Sequence, residues 1–221
     1  MTTTLRPVTD DLWETPADNP VPGLTTHAYL WRSPSAGNVL FYSVATDAPL
    51  DALAALGGVS HQYLSHRDEA GPALQAIRDR FGARLHAPAA EAAEIGRYRE
   101  PDELLAEPGA DGNGVQIVPT PGHSPGSTAF LVEGAGGRYL FVGDTIYRTE
   151  EGTWAAGYLP GISDRDALLR SLDVLAALQP DLVISSAFAG DAGAHPVTGT
   201  TWARILDEAR GGLVGTERST A

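Results

Sequence analysis

The chain has 221 residues, 43% of them hydrophobic, which is enough for one large domain or two small ones with a real core. Its 15 basic residues are all arginine and face 28 acidic ones, so the formal net charge of −13 leaves no basic footprint for nucleic acid. The absence of cysteine and lysine excludes disulfides, thiolate zinc sites, a Cys nucleophile and Schiff-base or Ser–Lys chemistry.

In chain order, "THAYLWR" (26–32) and "NVLFYSVA" (38–45) are β-branched and aromatic, and "SPSAG" between them predicts a hairpin. "APLDALAAL" (48–56) has helical spacing and stops at Gly57-Gly58. "SHQYLS" (60–65) reads as a short strand running into the charged loop "HRDEAG". In "PALQAIRDRFG" (72–82), Leu74, Ile77 and Phe81 lie on one helical face, and Gly82 ends the helix. "ARLHAP" is a brief strand, followed by a helix and then an acidic loop through "ADGNG". "VQIVPT" (115–120), "STAFLVEG" (127–134) and "RYLFVGD" (138–144) restart the strands, the last two as a hairpin. "SDRDALLRSLDVLAAL" (163–178) is a helix with Ser163 as N-cap and a leucine face. "PDLVISSAF" (180–188) reads as one buried strand, and "PVTGTTWARILDEAR" (196–210) as a turn and a last helix. The order of strands, helix, strand, helix occurs twice, which suits two mixed sheets with helices outside. No polar linker divides the chain, so the expectation is one domain over residues 1–210 with a flexible tail at 211–221. No apolar run approaches ~18 residues and the first residues show no leader pattern, so a cytoplasmic protein without a membrane partner is expected.

"TPGHSPGST" (120–128) admits three readings: a serine nucleophile elbow, a loop presenting His123 to a metal, or a plain turn. The elbow would combine Ser124, Asp144 and His195. Pro125 opposes it, because the residue after the nucleophile normally donates its N–H to the oxyanion and proline has none. Losing one such donor costs about 10²–10³ in rate. A strand, not a helix, also follows. For the metal reading, three loops after strands carry ligand-type residues: His66, Asp68 and Glu69 in "SHRDE", His123 in "PGHSPGS", and Asp144 in "FVGDT". Imidazoles with carboxylates suit zinc, iron or manganese.

"LSHRDEAG", "TPGHSPGSTAFLV" and "LFVGDTIY", followed by a helix and "DLVISS", resemble the metallo-β-lactamase superfamily over roughly residues 12–190. The resemblance implies an α/β fold, an αββα sandwich of two mixed β-sheets flanked by helices. It also implies metal ligands at His66, His123 and Asp144. The family's first motif, H-x-H-x-D-H, is degenerate here: Asp68 stands at the second His, and Ala70 and Gly71 replace the Asp and His of a second metal site. The last family His would fall near Ala187, and His195 lies eight residues later. The expectation is therefore one divalent metal ion (zinc, or iron or manganese) held by His66, Asp68, His123 and Asp144, or none.

Two functions follow from the resemblance. One is a metal-dependent hydrolase with a depleted site, acting on a small ester, thioester or lactone through water activated at the metal. The other is a non-hydrolytic member that binds a small-molecule ligand or a partner. The remaining polar candidates have structural explanations: Asp144 as a cap in its own turn, Glu69 as the start of the next helix, and His27, His61 and His86 as partly buried strand histidines. Trp31, and Trp154 and Tyr158 in the 148–162 loop, are candidates for lining a pocket.

Overall fold

The computed structural model describes residues 4–189 and 192–215. Seven strands form the first sheet, in the spatial order Arg6–Pro7, Leu12–Glu14, Tyr29–Ser33, Gly37–Phe41, His61–Tyr63, Arg84–Pro88 and Glu103–Leu105. The first four run antiparallel to one another and the remainder pair parallel, so the sheet is mixed. The second sheet orders Gly109–Ala110, Gln116–Pro119, Thr128–Gly134, Gly137–Gly143, Leu182–Ser185 and Ala194–Pro196, with one parallel pairing between Gly137–Gly143 and Leu182–Ser185.

The two sheets face each other across an aromatic core of Tyr29, Trp31, Phe41, Tyr63, Phe130, Tyr139 and Phe141. Phe41 and Phe141 stack across it at 3.9 Å. Each such ring removed from water contributes about 1.5–3 kcal/mol. Helices α1 (Leu50–Ala55) and α2 (Ala73–Phe81) cover the first sheet through Leu50, Leu53, Ala73 and Ile77. Next to them, α3 (Ala92–Ile95) contributes Ile95 to a smaller cluster. Helices α4 (Arg165–Ala176) and α5 (Gly199–Gly215) cover the second sheet through Leu168, Leu172, Leu175, Trp202, Ile205 and Leu206. The architecture is the expected αββα sandwich. No helix among the described residues is long and apolar enough to cross a membrane.

Several local expectations are corrected. Asp164, not Ser163, caps α4: its carboxylate accepts from the Ala167 N–H at 2.9 Å. Ser163 instead donates to the His123 carbonyl at 2.8 Å, fastening the 120–128 loop to the helix start. The 180–188 strand is two strands, because the chain leaves the second sheet after Ser185 and Ala187–Phe188 pairs with Leu24–Thr26 in a separate small sheet. The acidic loop holds the edge strands Glu103–Leu105 and Gly109–Ala110, set by pairing with neighbours rather than by propensity. Helix α5 continues past 210 to Gly215 because Leu213 still reaches the core; residues 216–221 of the expected tail lie outside the described residues.

Candidate metal centre

The strands ending at Tyr63, Pro119, Gly143 and Ser185 all finish at the same edge of the sandwich, and the loops beyond them carry His66, Asp68, His123, Asp144 and Ser186. His66 is extended and leads into a single 3₁₀ turn, Arg67–Glu69, which brings Asp68 round to its side. The His66 and His123 rings lie perpendicular with centroids 4.9 Å apart. His66 Nε2 is 3.4 Å from Asp144 Oδ2 and 3.9 Å from Asp68 Oδ2. His123 Nε2 is 3.7 Å from each of the same two oxygens. All four residues singled out from the sequence are thus brought together, and His66, Asp68 and His123 each offer one ligand atom within 4.8 Å of the others.

Both imidazole Nε2 atoms are buried and make no hydrogen bond. Leaving such a group unpaired costs about 1–3 kcal/mol, so two of them aimed at one point need a partner. Their opposite ring nitrogens are fixed. His123 Nδ1 lies 2.7 Å from the Gly157 carbonyl, which can only accept, so Nδ1 carries the hydrogen and Nε2 the lone pair. His66 Nδ1 sits 2.9 Å from Ser65 Oγ and 3.2 Å from Glu69 Oε1. An imidazole whose outer nitrogen is held by a carbonyl or carboxylate is the usual arrangement of a metal-ligating histidine. Bonds of about 2.1 Å in a tetrahedron give edges of about 3.4 Å, close to the four imidazole–carboxylate separations of 3.4, 3.7, 3.7 and 3.9 Å. His66, Asp68 and His123 therefore form a donor set that fits a divalent cation, with Asp144 Oδ2 facing both imidazoles.

The charges agree with that fit. Burial alone would depress the proton affinity of His66, but the Asp144 and Glu69 carboxylates outweigh it and hold its pKa well above the ordinary value. Burial opposes ionisation of Asp144, yet His66, His123 and the Ser186 hydroxyl hold its carboxyl far below the usual range. The His123 imidazole, with His66 and Arg67, likewise lowers Asp68 against partial burial. The pocket is thus poised for positive charge.

Asp144 is not a backbone cap; Oδ2 faces the imidazoles and Oδ1 accepts from Ser186 Oγ. Ala70 and Gly71 offer no donor, and a side chain at Gly71 would meet open space. A cavity of about 300 Å³ opens there, its wall including His66, Asp68, Asp144, Ala70, Gly71, His27 and Ala187.

The sequence reading missed the supports. Glu91, 1% exposed, accepts from the Arg67 N–H at 2.7 Å and the Gly126 N–H at 3.2 Å, clasping the first and second motif loops together. Gly126 must be glycine, since a Cβ there would lie 2.7 Å from Glu91 Cγ. Glu69 does not start a helix: it turns back, accepting from the Ser65 N–H at 2.7 Å and from Ser65 Oγ. Tyr42, at φ +69°, accepts from the Gly143 N–H and donates to the Ile184 carbonyl, so one hydroxyl holds the strand ends before Asp144 and Ser186. The signal for Glu91 was weak, an acid in an alanine-rich stretch; Ser186 stood directly after the last strand.

The elbow alternative fails in space. Ser124 Oγ bonds Ser127 Oγ at 2.8 Å inside its own turn. His195 contacts the Ala192 carbonyl and the edge of Trp154, and is not on the cavity wall. The 148–162 loop does not line that cavity; Trp154 packs into the core and Tyr158 against it, while Gly157 supports His123 from behind. His61 and His86 bond to each other at 2.9 Å on the first sheet.

Comparison with known proteins agrees with this geometry. A family model described as the metallo-beta-lactamase superfamily matches residues 59–187, more than half of the chain. No curated protein matches the sequence. Among solved structures, a metallo-beta-lactamase from Pontibacter korlensis superposes with a TM-score of 0.70 at 14% identity, covering 96% of this chain and 99% of its own. One from Hirschia baltica gives 0.70 at 15% identity, covering 95% and 98%. A Cronobacter sakazakii metallo-beta-lactamase described by a HARLDQ motif gives 0.67 at 18% identity, covering 99% and 98%. With the family model spanning both motif loops and the fold shared end to end, the chain belongs to the metallo-beta-lactamase superfamily.

Proposed function

We propose that the protein is a mononuclear metal-dependent hydrolase acting on a small ester, thioester or lactone. The observation that carries this reading is the pair of buried, unpartnered Nε2 atoms of His66 and His123 converging on Oδ2 of Asp68 and Asp144. A second ion is disfavoured because Oδ1 of Asp144 is taken by Ser186, and Ala70 and Gly71 stand where further ligands would be needed. Two imidazoles with two carboxylates form a harder set than three histidines, which moves preference from zinc toward iron or manganese.

When bound, a divalent cation supplies Lewis acidity, polarising an acyl carbonyl and easing deprotonation of water. The protein's own groups do the rest. Glu69, Ser65 and the Gly157 carbonyl fix the two imidazoles so that their lone pairs face inward. Asp68, whose side chain is 57% exposed, forms the open rim. The apolar wall at Ala70, Gly71 and Ala187 admits an uncharged acyl group and offers no arginine to an anionic one.

A ligand-binding protein without turnover is the second reading, favoured by Ala70 at the position where the family has an aspartate. Metal analysis of protein purified without chelator tests the first. One ion per chain, lost in His123→Ala, is expected. Two ions per chain, or none together with no melting-temperature shift on adding zinc, iron or manganese, would refute it.

A further inference from the structure

We infer that His27 is the proton-transfer residue of this site, passing a proton between the attacking water and the leaving group; this rests on the hydrolase reading above. His27 comes from a different part of the chain than the motif loops. It follows the strand Leu24–Thr26, whose Thr26 pairs with Ala187 and whose Thr25 pairs with Phe188. That pairing brings an imidazole to the stretch after Ser186, where the chain supplies no histidine of its own. The His27 ring stacks on Phe188 at 5.4 Å and forms part of the same cavity wall as His66, Asp68 and Asp144. A space of about 300 Å³ is about 8 Å across, so a substrate held there touches opposite walls at once.

The ring is set up for this task. Nδ1 lies 2.6 Å from the Thr15 carbonyl, an obligate acceptor, so Nδ1 keeps its hydrogen and Nε2 presents a lone pair. Among the described residues Nε2 makes no hydrogen bond, and Glu14 Oε1 lies 3.9 Å from it. Glu14 is 3% exposed and is itself held by Arg6 Nε at 2.6 Å. His66 cannot fill the role, because its Nε2 faces the carboxylate pair.

For an ester the step balances as follows. The water oxygen forms a bond to the acyl carbon while one of its protons passes to His27 Nε2. The acyl C–O bond then breaks, its electron pair goes to the leaving oxygen, and that oxygen takes the proton from Nε2. The products are the alcohol and the acid, whose remaining proton goes to solvent. Positioned proton transfer of this kind contributes typically about 10²–10⁴-fold.

The test compares two esters of one acid, ethyl butyrate and 4-nitrophenyl butyrate, in wild type and His27→Asn. Asparagine keeps an N–H toward the Thr15 carbonyl and removes the lone pair. A proton donor matters most for the poor leaving group. The expected result is a kcat/KM loss of about 100-fold or more on ethyl butyrate, a much smaller loss on the nitrophenyl ester, and unchanged metal content. Equal losses on both esters, or no loss, overturn the role. Should His27→Asn fail to fold, diethyl pyrocarbonate on the metal-loaded wild type gives a second readout. Peptide mass mapping should find Nε2 of His27 carbethoxylated, with ethyl butyrate hydrolysis lost in step and restored by hydroxylamine; complete modification without loss overturns the role. A wild type inert on both esters overturns the ester step and with it this role, a wild type that binds no ion refutes the hydrolase reading itself, and an active wild type with an equally active His27→Asn refutes only the role of His27.

Discussion

Gly157→Ala should uncouple the metal centre without replacing a ligand. A Cβ at Gly157 would lie 1.8 Å from the Asp144 carbonyl oxygen and 3.0 Å from His123 Nδ1. Ordinary contact begins near 3.4 Å, so the 157 backbone must retreat by about 1.6 Å from Asp144. A retreat of that size stretches the 2.7 Å bond between His123 Nδ1 and the Gly157 carbonyl beyond hydrogen-bonding reach. Losing the group that orients a ligating imidazole typically costs about 10–100-fold in metal affinity, or about 1.4–2.7 kcal/mol. The assay is competition with a chromophoric chelator for the added ion, with circular dichroism to confirm folding. Gly161→Ala is the control: φ is +79°, nothing lies within 4 Å of the new methyl, and only about 1–2 kcal/mol of left-handed backbone strain is added. Gly157→Ala binding metal within twofold of wild type, or Gly161→Ala losing as much as Gly157→Ala, would refute the reasoning.

Other expectations follow from the same contacts. Glu69→Gln removes the charge behind His66 Nδ1 while keeping the shape, and should weaken metal binding about tenfold by the same competition assay. Tyr42→Phe strands the buried Gly143 N–H and Ile184 carbonyl and should lower stability by about 2–4 kcal/mol in urea unfolding. His86 is 5% exposed, and burial with the neighbouring His61 pulls its pKa from 6.5 down to about 4. The folded form then binds its proton more weakly than the unfolded chain. The protein keeps this contribution in full above pH 6.5 and loses up to about 3 kcal/mol as pH falls to 4. His86→Gln should flatten that part of the stability–pH curve measured by denaturation; an unchanged slope would remove His86 as its source.

The layers and the four converging side chains were legible in the sequence because each is encoded locally. Apolar runs end in short loops, and His66, His123 and Asp144 sit one to four residues past strands that the hydrophobic pattern already marks. Asp68 was legible because a single tight turn follows His66. What escaped notice depends on contacts distant in sequence. Glu91 bonds backbone 24 and 35 residues away, and Gly157 supports a histidine 34 residues earlier. His27 looked like an ordinary strand histidine because its place beside Ala187 exists only once the small third sheet pairs. The break at Ser186 was hidden for a related reason: the apolar run continues while the backbone changes sheets.

The Glu91 clasp also bears on how the site comes into being. His66, Asp68, Glu69 and Glu91 lie in the first half of the chain, whereas His123, Gly126, Asp144 and Ser186 lie in the second. The carboxylate bonds the Arg67 N–H within the first half and the Gly126 N–H across that seam, so the clasp is completed only when the two sheets have docked. Contacts between segments far apart in sequence form late, after the loop-closure entropy has been overcome. Metal capture during refolding should therefore lag behind the burial of each sheet's own helices, and a cation would stabilise the last assembly step rather than nucleate the fold.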